Sequence, residues 1–206
     1  IVGKDTIRVV GVTAAFELSG TTFCDNGQVQ FTNKTVSNDY ITGYQWSFGD
    51  GATSTAMHPV HRYTKAGNYM VRLKVTTQTG CTSEYVVTDT ITIYNKPSII
   101  ISGDSASCTP AALTFKGIAA SSDPSLQWDW NFANGKTAAI QNPAQQTYTT
   151  EGTYTVSAIA TNQYGCKDAA TKPITIYPSP NTNAGADGWI CRGTTAQLQA
   201  TGAITD

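Results

Sequence analysis

Apolar and polar side chains alternate along several short segments of the chain. Tyr44, Trp46 and Phe48 are separated by the polar residues Gln45 and Ser47. Successive side chains of a strand point to opposite faces of its sheet, so a period of two gives a strand one buried and one solvated face. No long segment has the apolar spacing of an amphipathic helix. The same alternation recurs in further segments: Val29 and Phe31; Tyr69, Val71, Leu73 and Val75; Leu113 and Phe115; Trp128, Trp130 and Phe132; Tyr154, Val156, Ala158 and Ala160.

These segments recur at an interval of about 84 residues. Residues 46–51 (Trp-Ser-Phe-Gly-Asp-Gly) align with residues 130–135 (Trp-Asn-Phe-Ala-Asn-Gly), and Cys24, Cys108 and Cys191 keep the same interval. Self-similarity at a fixed period indicates tandem copies of one folding unit. The sequence therefore predicts an all-β protein built from tandem two-sheet sandwiches of about seven strands each.

The repeat also predicts where the domains begin and end. We expect residues 12–95 and 96–178 to form two whole domains, residues 1–11 to be the last strand of a preceding repeat, and residues 179–206 to begin a further repeat. The chain starts with Ile rather than Met and shows no signal peptide. We therefore expect it to be an interior piece of a longer protein.

An Asx-Gly pair follows the Trp-containing strand of each repeat. Asp50-Gly51 and Asn134-Gly135 suit turn centres with positive φ, so we expect a tight turn at each. Asp50 could alternatively bind calcium, but calcium takes about six to eight oxygen ligands and no Asp-rich array surrounds it in the sequence. A turn role is favoured.

The cysteines occupy two positions in the repeat. Cys24 and Cys108 precede the second strand of their repeats, whereas Cys81 and Cys166 follow the long strand rich in Tyr, Val and Leu. We expect the disulfides Cys24–Cys81 and Cys108–Cys166, with Cys191 unpaired within this chain. Metal-binding or redox-active thiols are the alternative, but there is no Cys-x-x-Cys motif or Cys/His cluster. Disulfides would place the chain in an oxidising, extracytoplasmic compartment.

Charge and composition narrow the function. Charged residues make up 13% of the chain and the net charge is −1, which leaves no basic stripe for nucleic acid. No apolar run is long enough to insert into a membrane. His58 and His61 could form a metal pair or include a general base, but a packing or capping role is favoured. Since no nucleophile motif or acid/base pair stands out, we expect a non-catalytic chain without cofactor or metal.

Both repeats resemble the polycystic-kidney-disease (PKD) domain. The family pattern is a Trp-x-Phe-Gly-Asp-Gly turn followed by His-x-Tyr-x-x-x-Gly-x-Tyr-x-Val, and the first repeat matches it closely. The second repeat departs from it at Ala133, at Asn134 and at the His position, which is Gln. The resemblance implies an immunoglobulin-like sandwich and a non-catalytic extracellular module. Its motif residues in this chain are Trp46, Phe48, Asp50 and Gly51, then Trp130, Phe132, Asn134 and Gly135.

A narrower resemblance concerns the cysteines and the segment from Asn183 to Asp187 that leads to Cys191. It is similar to the opening of PKD-like repeats in Bacteroidetes surface proteins, including gliding-motility adhesins and cargo of the type IX secretion system. That resemblance implies O-glycosylation at Asp-Ser/Thr-apolar triplets, which here contain Thr6, Thr90 and Ser105. Asn33-Lys34-Thr35 fits the N-glycosylation triplet, which matters only in a host with that machinery.

These observations lead to one expected function and its rivals. We expect a disulfide-stapled stalk segment of a long, repetitive bacterial adhesin or filament at the cell surface, associated with the outer membrane. The alternative is a spacer or substrate-binding accessory module of a secreted hydrolase or protease, and a third reading is direct carbohydrate binding. The expected partners are neighbouring repeats of the same chain, surface polysaccharide and other cell-surface proteins.

Overall fold

The computed structural model describes residues 9–120 and 123–179, together with two short strands further on, Thr182–Asn183 and Thr201–Gly202. The described chain divides between Lys96 and Pro97 into two compact units, called unit 1 and unit 2 below. No helix long and apolar enough to cross a bilayer occurs among the described residues. The predicted terminal strand 1–11 and the further repeat 179–206 fall mostly outside this part.

The described part of unit 1, residues 9–96, contains twelve strands: β1 Val12–Thr13, β2 Phe16–Leu18, β3 Thr22–Cys24, β4 Gly27–Asn33, β5 Val36–Ser37, β6 Ile41–Ser47, β7 Thr53–Ser54, β8 Val60–Tyr63, β9 Gly67–Tyr69, β10 Arg72–Thr77, β11 Thr82–Val86 and β12 Ile91–Tyr94. One sheet has the order β11-β10-β6-β7. The remaining strands pair as β2-β4-β8, β3-β12-β9 and β1-β5. All pairs are antiparallel except β3 with β12, which is parallel.

Unit 2 repeats this arrangement with longer strands: β13 Ile99–Gly103, β14 Ala106–Cys108, β15 Ala111–Leu113, β16 Phe115–Ala119, β17 Gln127–Asn131, β18 Thr137–Ala138, β19 Gln146–Tyr148, β20 Gly152–Thr161 and β21 Lys167–Tyr177. Its largest sheet has the order β14-β21-β20-β17-β18. The pairs β13-β16 and β15-β19 complete the unit, and β14 lies parallel to β21. Strand β20 corresponds to β9 and β10 of unit 1 joined without interruption.

Each unit encloses its own core of aromatic and β-branched side chains. In unit 1 the fully buried large residues are Phe31, Trp46, Phe48, Tyr63, Leu73, Ile91 and Ile93. In unit 2 they are Phe115, Trp130, Phe132, Tyr148 and Ile174, with Ile176 beside them. The alternating residues of the sequence supply most of these side chains, because every second residue of a strand faces the core. The predicted all-β class and sandwich architecture are confirmed.

Candidate functional site

The Trp-x-Phe motif and the Tyr of the following strand form the centre of each core. Trp46 is buried and its indole Nε1 donates a hydrogen bond to the carbonyl of Ala56 (2.8 Å). The hydroxyl of Tyr63 donates to the carbonyl of Phe48 (2.9 Å). A buried Trp or Tyr needs a partner for its polar end, and here the chain itself supplies it. These groups therefore hold the motif turn against the core.

Unit 2 makes the same two bonds with different neighbours. The indole Nε1 of Trp130 donates to the carbonyl of Ile140 (2.9 Å), and the hydroxyl of Tyr148 donates to the carbonyl of Phe132 (2.9 Å). Burial raises the pKa of Tyr148 to about 12. Burial, with the nearby Asp50 charge, also raises the pKa of Tyr63.

Asp50 and His61 form the polar cluster closest to a conventional acid/base pair. Asp50 Oδ2 lies 2.7 Å from His61 Nε2, and the His61 ring stacks on Phe48 with ring centroids 4.3 Å apart. Asp50 Oδ1 also accepts a hydrogen bond from the amide of Ala52 (3.0 Å). Burial acts to raise the pKa of Asp50, but the bonds from His61 and Ala52 outweigh it and keep that pKa below the ordinary value. The carboxylate is thus engaged by the turn and its neighbours.

Unit 2 lacks this pair although it keeps the fold. Asn134 stands at the Asp50 position, where it accepts a bond from the amide of Lys136 (3.0 Å) and donates one to the carbonyl of Thr147 (3.2 Å). Gln146 stands at the His61 position and donates to the carbonyl of Ala144 (2.8 Å). The turn therefore forms with either Asx residue, whereas the Asp–His contact belongs to unit 1.

The two histidines engage different partners. The ring Nδ1 of His58 accepts a hydrogen bond from the amide of Asn33 (3.1 Å), while His61 contacts Asp50. Among residues 9–120 and 123–179, no three or more His, Cys, Asp or Glu side chains come together as a metal-binding group.

The cysteine pairing predicted from the sequence is wrong in this structure. Cys81 and Cys108 carry free thiols, whereas Cys24 and Cys166 are disulfide-bonded. Neither predicted pair, Cys24–Cys81 or Cys108–Cys166, can therefore be present. Cys191 lies outside the described residues.

The register of the strands explains why the predicted pairs do not form. In unit 2, Cys108 pairs with Tyr177 at the last residue of β21, and Cys166 directly precedes the first residue of that strand. A strand of 11 residues spans about 36 Å at roughly 3.3 Å per residue. A disulfide needs Cα atoms within about 7 Å, so the two cysteines of unit 2 are too far apart.

Unit 1 has the same geometry. Cys24 pairs with Tyr94, the last residue of β12. The residue before it, Ile93, pairs with Gly67, the first residue of β9. Cys81 lies beyond the end of β10, where its carbonyl accepts a bond from the amide of Thr77 (2.9 Å). Sequence spacing alone could not reveal this, because it does not say which strands pair or which of their ends meet.

The candidate modification sites differ in accessibility. Thr90, just before β12, and Ser105, between β13 and β14, are exposed. Thr6 lies outside the described residues. Asn33 of the N-glycosylation triplet is only 8% exposed, and its Oδ1 accepts bonds from the amide and the hydroxyl of Thr35 (3.0 and 2.6 Å). An oligosaccharide cannot be attached to that amide without displacing it from the unit.

One open cavity of about 590 Å³ lies on unit 2, next to Trp128 and Ile140. Trp128 is only 5% exposed, so its ring cannot serve as an open stacking platform for a sugar. Two polar residues of the lining already make hydrogen bonds within the unit. Asp123 accepts bonds from the amide and the hydroxyl of Ser125, and the Gln141 amide donates to the carbonyl of Gly117.

Two compact and mainly antiparallel sandwiches, each with a Trp-x-Phe turn over an aromatic core, define a tandem immunoglobulin-like module. The chain belongs to the PKD domain family, whose family model matches residues 14–93 and 94–176. These two matches cover more than half of the chain.

The curated relatives are enzymes of which this chain resembles a small part. The chain is 38% identical over 78 residues to the pre-pro-metalloprotease PrtV of Vibrio cholerae, covering 37% of this chain and 8% of that protein. It is 35% identical over 86 residues to the collagenase ColQ1 of Bacillus cereus, covering 42% of this chain and 8% of that protein. The crystal structure of the PKD1 domain from Vibrio cholerae PrtV shares 36% identity, covers 40% of this chain and 96% of that chain, and gives a TM-score of 0.35.

Proposed function

We propose that this chain is a non-catalytic spacer or substrate-binding segment of a secreted, multidomain hydrolase or protease. The observation that carries the proposal is the similarity to a collagenase over 86 residues and to a metalloprotease over 78 residues. The geometry supports a passive role, because the motif residues direct their polar groups to each other or to the backbone. The segment would act outside the cell, where the parent enzyme meets a polymeric substrate.

A cell-surface stalk is the second candidate function. It is favoured by the tandem arrangement, since two units with separate cores follow one another along the chain. The Bacteroidetes origin, the type IX secretion route, the gliding-motility role and the outer-membrane association belong to this second candidate. Neither the Vibrio nor the Bacillus relative is a Bacteroidetes surface protein, so these remain predictions.

The natural full-length protein distinguishes the two candidates. Isolation from its source, followed by peptide sequencing across the regions that flank this chain, is expected to reveal a catalytic domain. A long series of further repeats of about 84 residues, with no catalytic domain, would overturn the enzyme-accessory proposal and favour the stalk.

Substrate binding is tested separately with the full chain. It is incubated with insoluble collagen, chitin and cellulose, the solids are pelleted, and the bound fraction is measured against bovine serum albumin as a control. Retention on one polymer that is saturable and competed by its soluble fragments supports a substrate-binding role. Equal, unsaturable retention on all three solids would overturn the substrate-binding role and favour the spacer role.

O-glycosylation at Thr90 and Ser105 remains a prediction that their exposure supports. Intact-mass measurement of natively produced protein would show added hexose masses, and the variants Thr90→Ala and Ser105→Ala would each remove one glycan. An unmodified mass in the native producer would rule the modification out.

A further inference from the structure

We propose that the Asn134-Gly135 turn of unit 2 is a site of spontaneous chemical modification, at which Asn134 converts to aspartate and isoaspartate through a cyclic succinimide. The sequence contains two Asn-Gly pairs, at residues 26–27 and 134–135. The fold leaves the second pair open to this reaction and protects the first. The proposal concerns the turn alone, so it goes beyond the proposed function and does not rest on it.

The reaction needs only the turn itself and water. The backbone nitrogen of Gly135 gives up its proton and attacks Cγ of Asn134, which closes a five-membered ring. The new C–N bond replaces the bond from Cγ to Nδ2, and the side-chain nitrogen takes up a proton and leaves as ammonia. Water then opens the ring at either of its two carbonyls and gives aspartate or isoaspartate. No atom is oxidised or reduced in either step.

The attacking group, the backbone nitrogen of Gly135, is unobstructed. Its N–H donates to no atom of residues 9–120 or 123–179. Gly135 is exposed, its φ is +83°, and nothing lies within 4 Å of the position that a Cβ would take. A glycine in open space changes its backbone angles at little cost, so this nitrogen is free to turn toward the Asn134 side chain.

The attacked group, the side-chain amide of Asn134, is held with a donor already in place. Oδ1 accepts a hydrogen bond from the amide of Lys136 (3.0 Å), and Nδ2 donates to the carbonyl of Thr147 (3.2 Å). Attack at Cγ moves negative charge onto Oδ1, and a fixed N–H donor stabilises charge that develops on an oxygen. The Lys136 amide therefore favours ring closure.

The other Asn-Gly pair keeps a donor but not the free glycine. Oδ1 of Asn26 accepts a bond from the guanidinium of Arg62 (3.2 Å). Gly27, however, is buried at the start of β4, where it pairs with Tyr63 of β8. A Cβ on Gly27 would lie 2.5 Å from the Phe23 ring, so this backbone has no room to turn. Ring closure at Asn26 is therefore hindered in the folded unit.

Unit 1 carries the same turn with a less reactive side chain. Asp50 precedes Gly51, whose φ is +94°, and its carboxylate engages the Ala52 amide and the His61 ring. These bonds favour the ionised carboxylate, which is a poor target for a nucleophile because it already carries negative charge. The modification is therefore confined to the turn of unit 2.

The products fit the turn less well than Asn134 does. Aspartate has no N–H to donate to the carbonyl of Thr147, and the position opposite holds Gln146 instead of a histidine. Isoaspartate adds a methylene to the main chain, inside a turn that is closed by the bond from the Phe132 amide to the Lys136 carbonyl (3.2 Å). Conversion should therefore lower the stability of unit 2 with time.

Peptide mapping of the full chain tests the proposal. The native chain is incubated at mildly alkaline pH, which favours loss of the Gly135 amide proton, and mass spectrometry follows aspartate and isoaspartate at positions 134 and 26. The same incubation in concentrated urea is the reference in which only the local sequence acts. Conversion of Asn134 is expected to be at least about tenfold faster than that of Asn26 in the native chain, and within about twofold of it in urea.

Two results of the mapping would overturn the proposal. One is a rate ratio of Asn134 to Asn26 that is no higher in the native chain than in urea. The other is conversion of Asn134 without isoaspartate, because only opening of the ring forms that product.

A stability measurement tests the consequence of the modification. Incubation is expected to lower the thermal midpoint of the full chain as Asn134 converts. Asn134→Ser is the matched control, since its hydroxyl can still accept a bond in the turn but has no amide to lose. Its midpoint should stay constant. An equal fall in both chains would show that the loss of stability arises elsewhere and would contradict the effect assigned to this turn.

Discussion

The carboxylate of Asp50 faces the ring of His61 at 2.7 Å, and that ring lies flat on Phe48. The contact connects the motif turn to strand β8, and it is available only in unit 1 because Asn134 and Gln146 replace the pair in unit 2. It therefore gives the two units different responses to acid.

Asp50→Asn is expected to lower the free energy of unfolding of unit 1 by about 1 kcal/mol at neutral pH, since it removes a charged hydrogen-bond partner. The folded state lowers the pKa of Asp50 below its ordinary value of 3.8. The stabilisation that the ionised Asp50 contributes is complete above that ordinary value. It is lost as the pH falls through the lower pKa of the folded state. The stability of the variant should therefore fall less than that of the unsubstituted chain as the pH is lowered from about 5 to below 3.8. Urea unfolding at several pH values measures this, with the exposed Asp129→Asn as control.

Gly49 is held in a conformation that an alanine would strain. Its φ is +87°, and an added Cβ would lie 2.7 Å from the carbonyl oxygen of Met70, where β9 gives way to β10. Gly49→Ala should destabilise unit 1 by about 2–4 kcal/mol, because backbone strain and a steric clash act together. Gly51→Ala is the matched control, since its φ is +94° but nothing lies near the added carbon. It should cost about 1 kcal/mol. Equal losses in thermal unfolding would show that the clash with Met70 is unimportant.

The two buried tyrosines should make the stability of the units fall at alkaline pH. Tyr63→Phe and Tyr148→Phe each leave a buried carbonyl without its donor, and each should lower stability by about 1–2 kcal/mol. Burial raises the pKa of Tyr148 to about 12. Such a group stabilises the fold fully below the ordinary pKa of 10.0, and this contribution falls as the pH rises through the folded-state value. The Phe variants should therefore be less sensitive to pH between about 10 and 12, whereas the exposed control Tyr40→Phe should behave as the unsubstituted chain.

Unit 1 should not depend on an internal disulfide. In a fragment of residues 9–96, replacement of both Cys24 and Cys81 by Ser is expected to leave the thermal midpoint within about 2 °C, because each unit has its own core and no cystine joins the two positions. Circular dichroism of the fragment with and without the substitutions measures this. A midpoint lowered by roughly 10 °C or more would indicate an internal staple of about the strength expected for a long closed loop.

The sequence predicted the strands and the core because alternation is a local property. Trp46, Leu73 and Trp130 are buried as their spacing indicates. The cysteine partners could not be predicted in this way, since they depend on strand order and register, which a spacing does not encode. The Asp50–His61 contact likewise depends on two segments meeting across the unit, and only the Trp-x-Phe motif signalled that this turn was special.

The parallel pairing of β3 with β12, and of β14 with β21, has a mechanical consequence. In each unit a strand near the beginning runs alongside the strand at the end. Tension that reaches these two strands along the chain pulls them in opposite directions along their length, so the hydrogen bonds between them are loaded together in shear. Such an arrangement resists rupture better than a hairpin that opens one bond at a time, and it suits a module that must transmit load between distant parts of a protein.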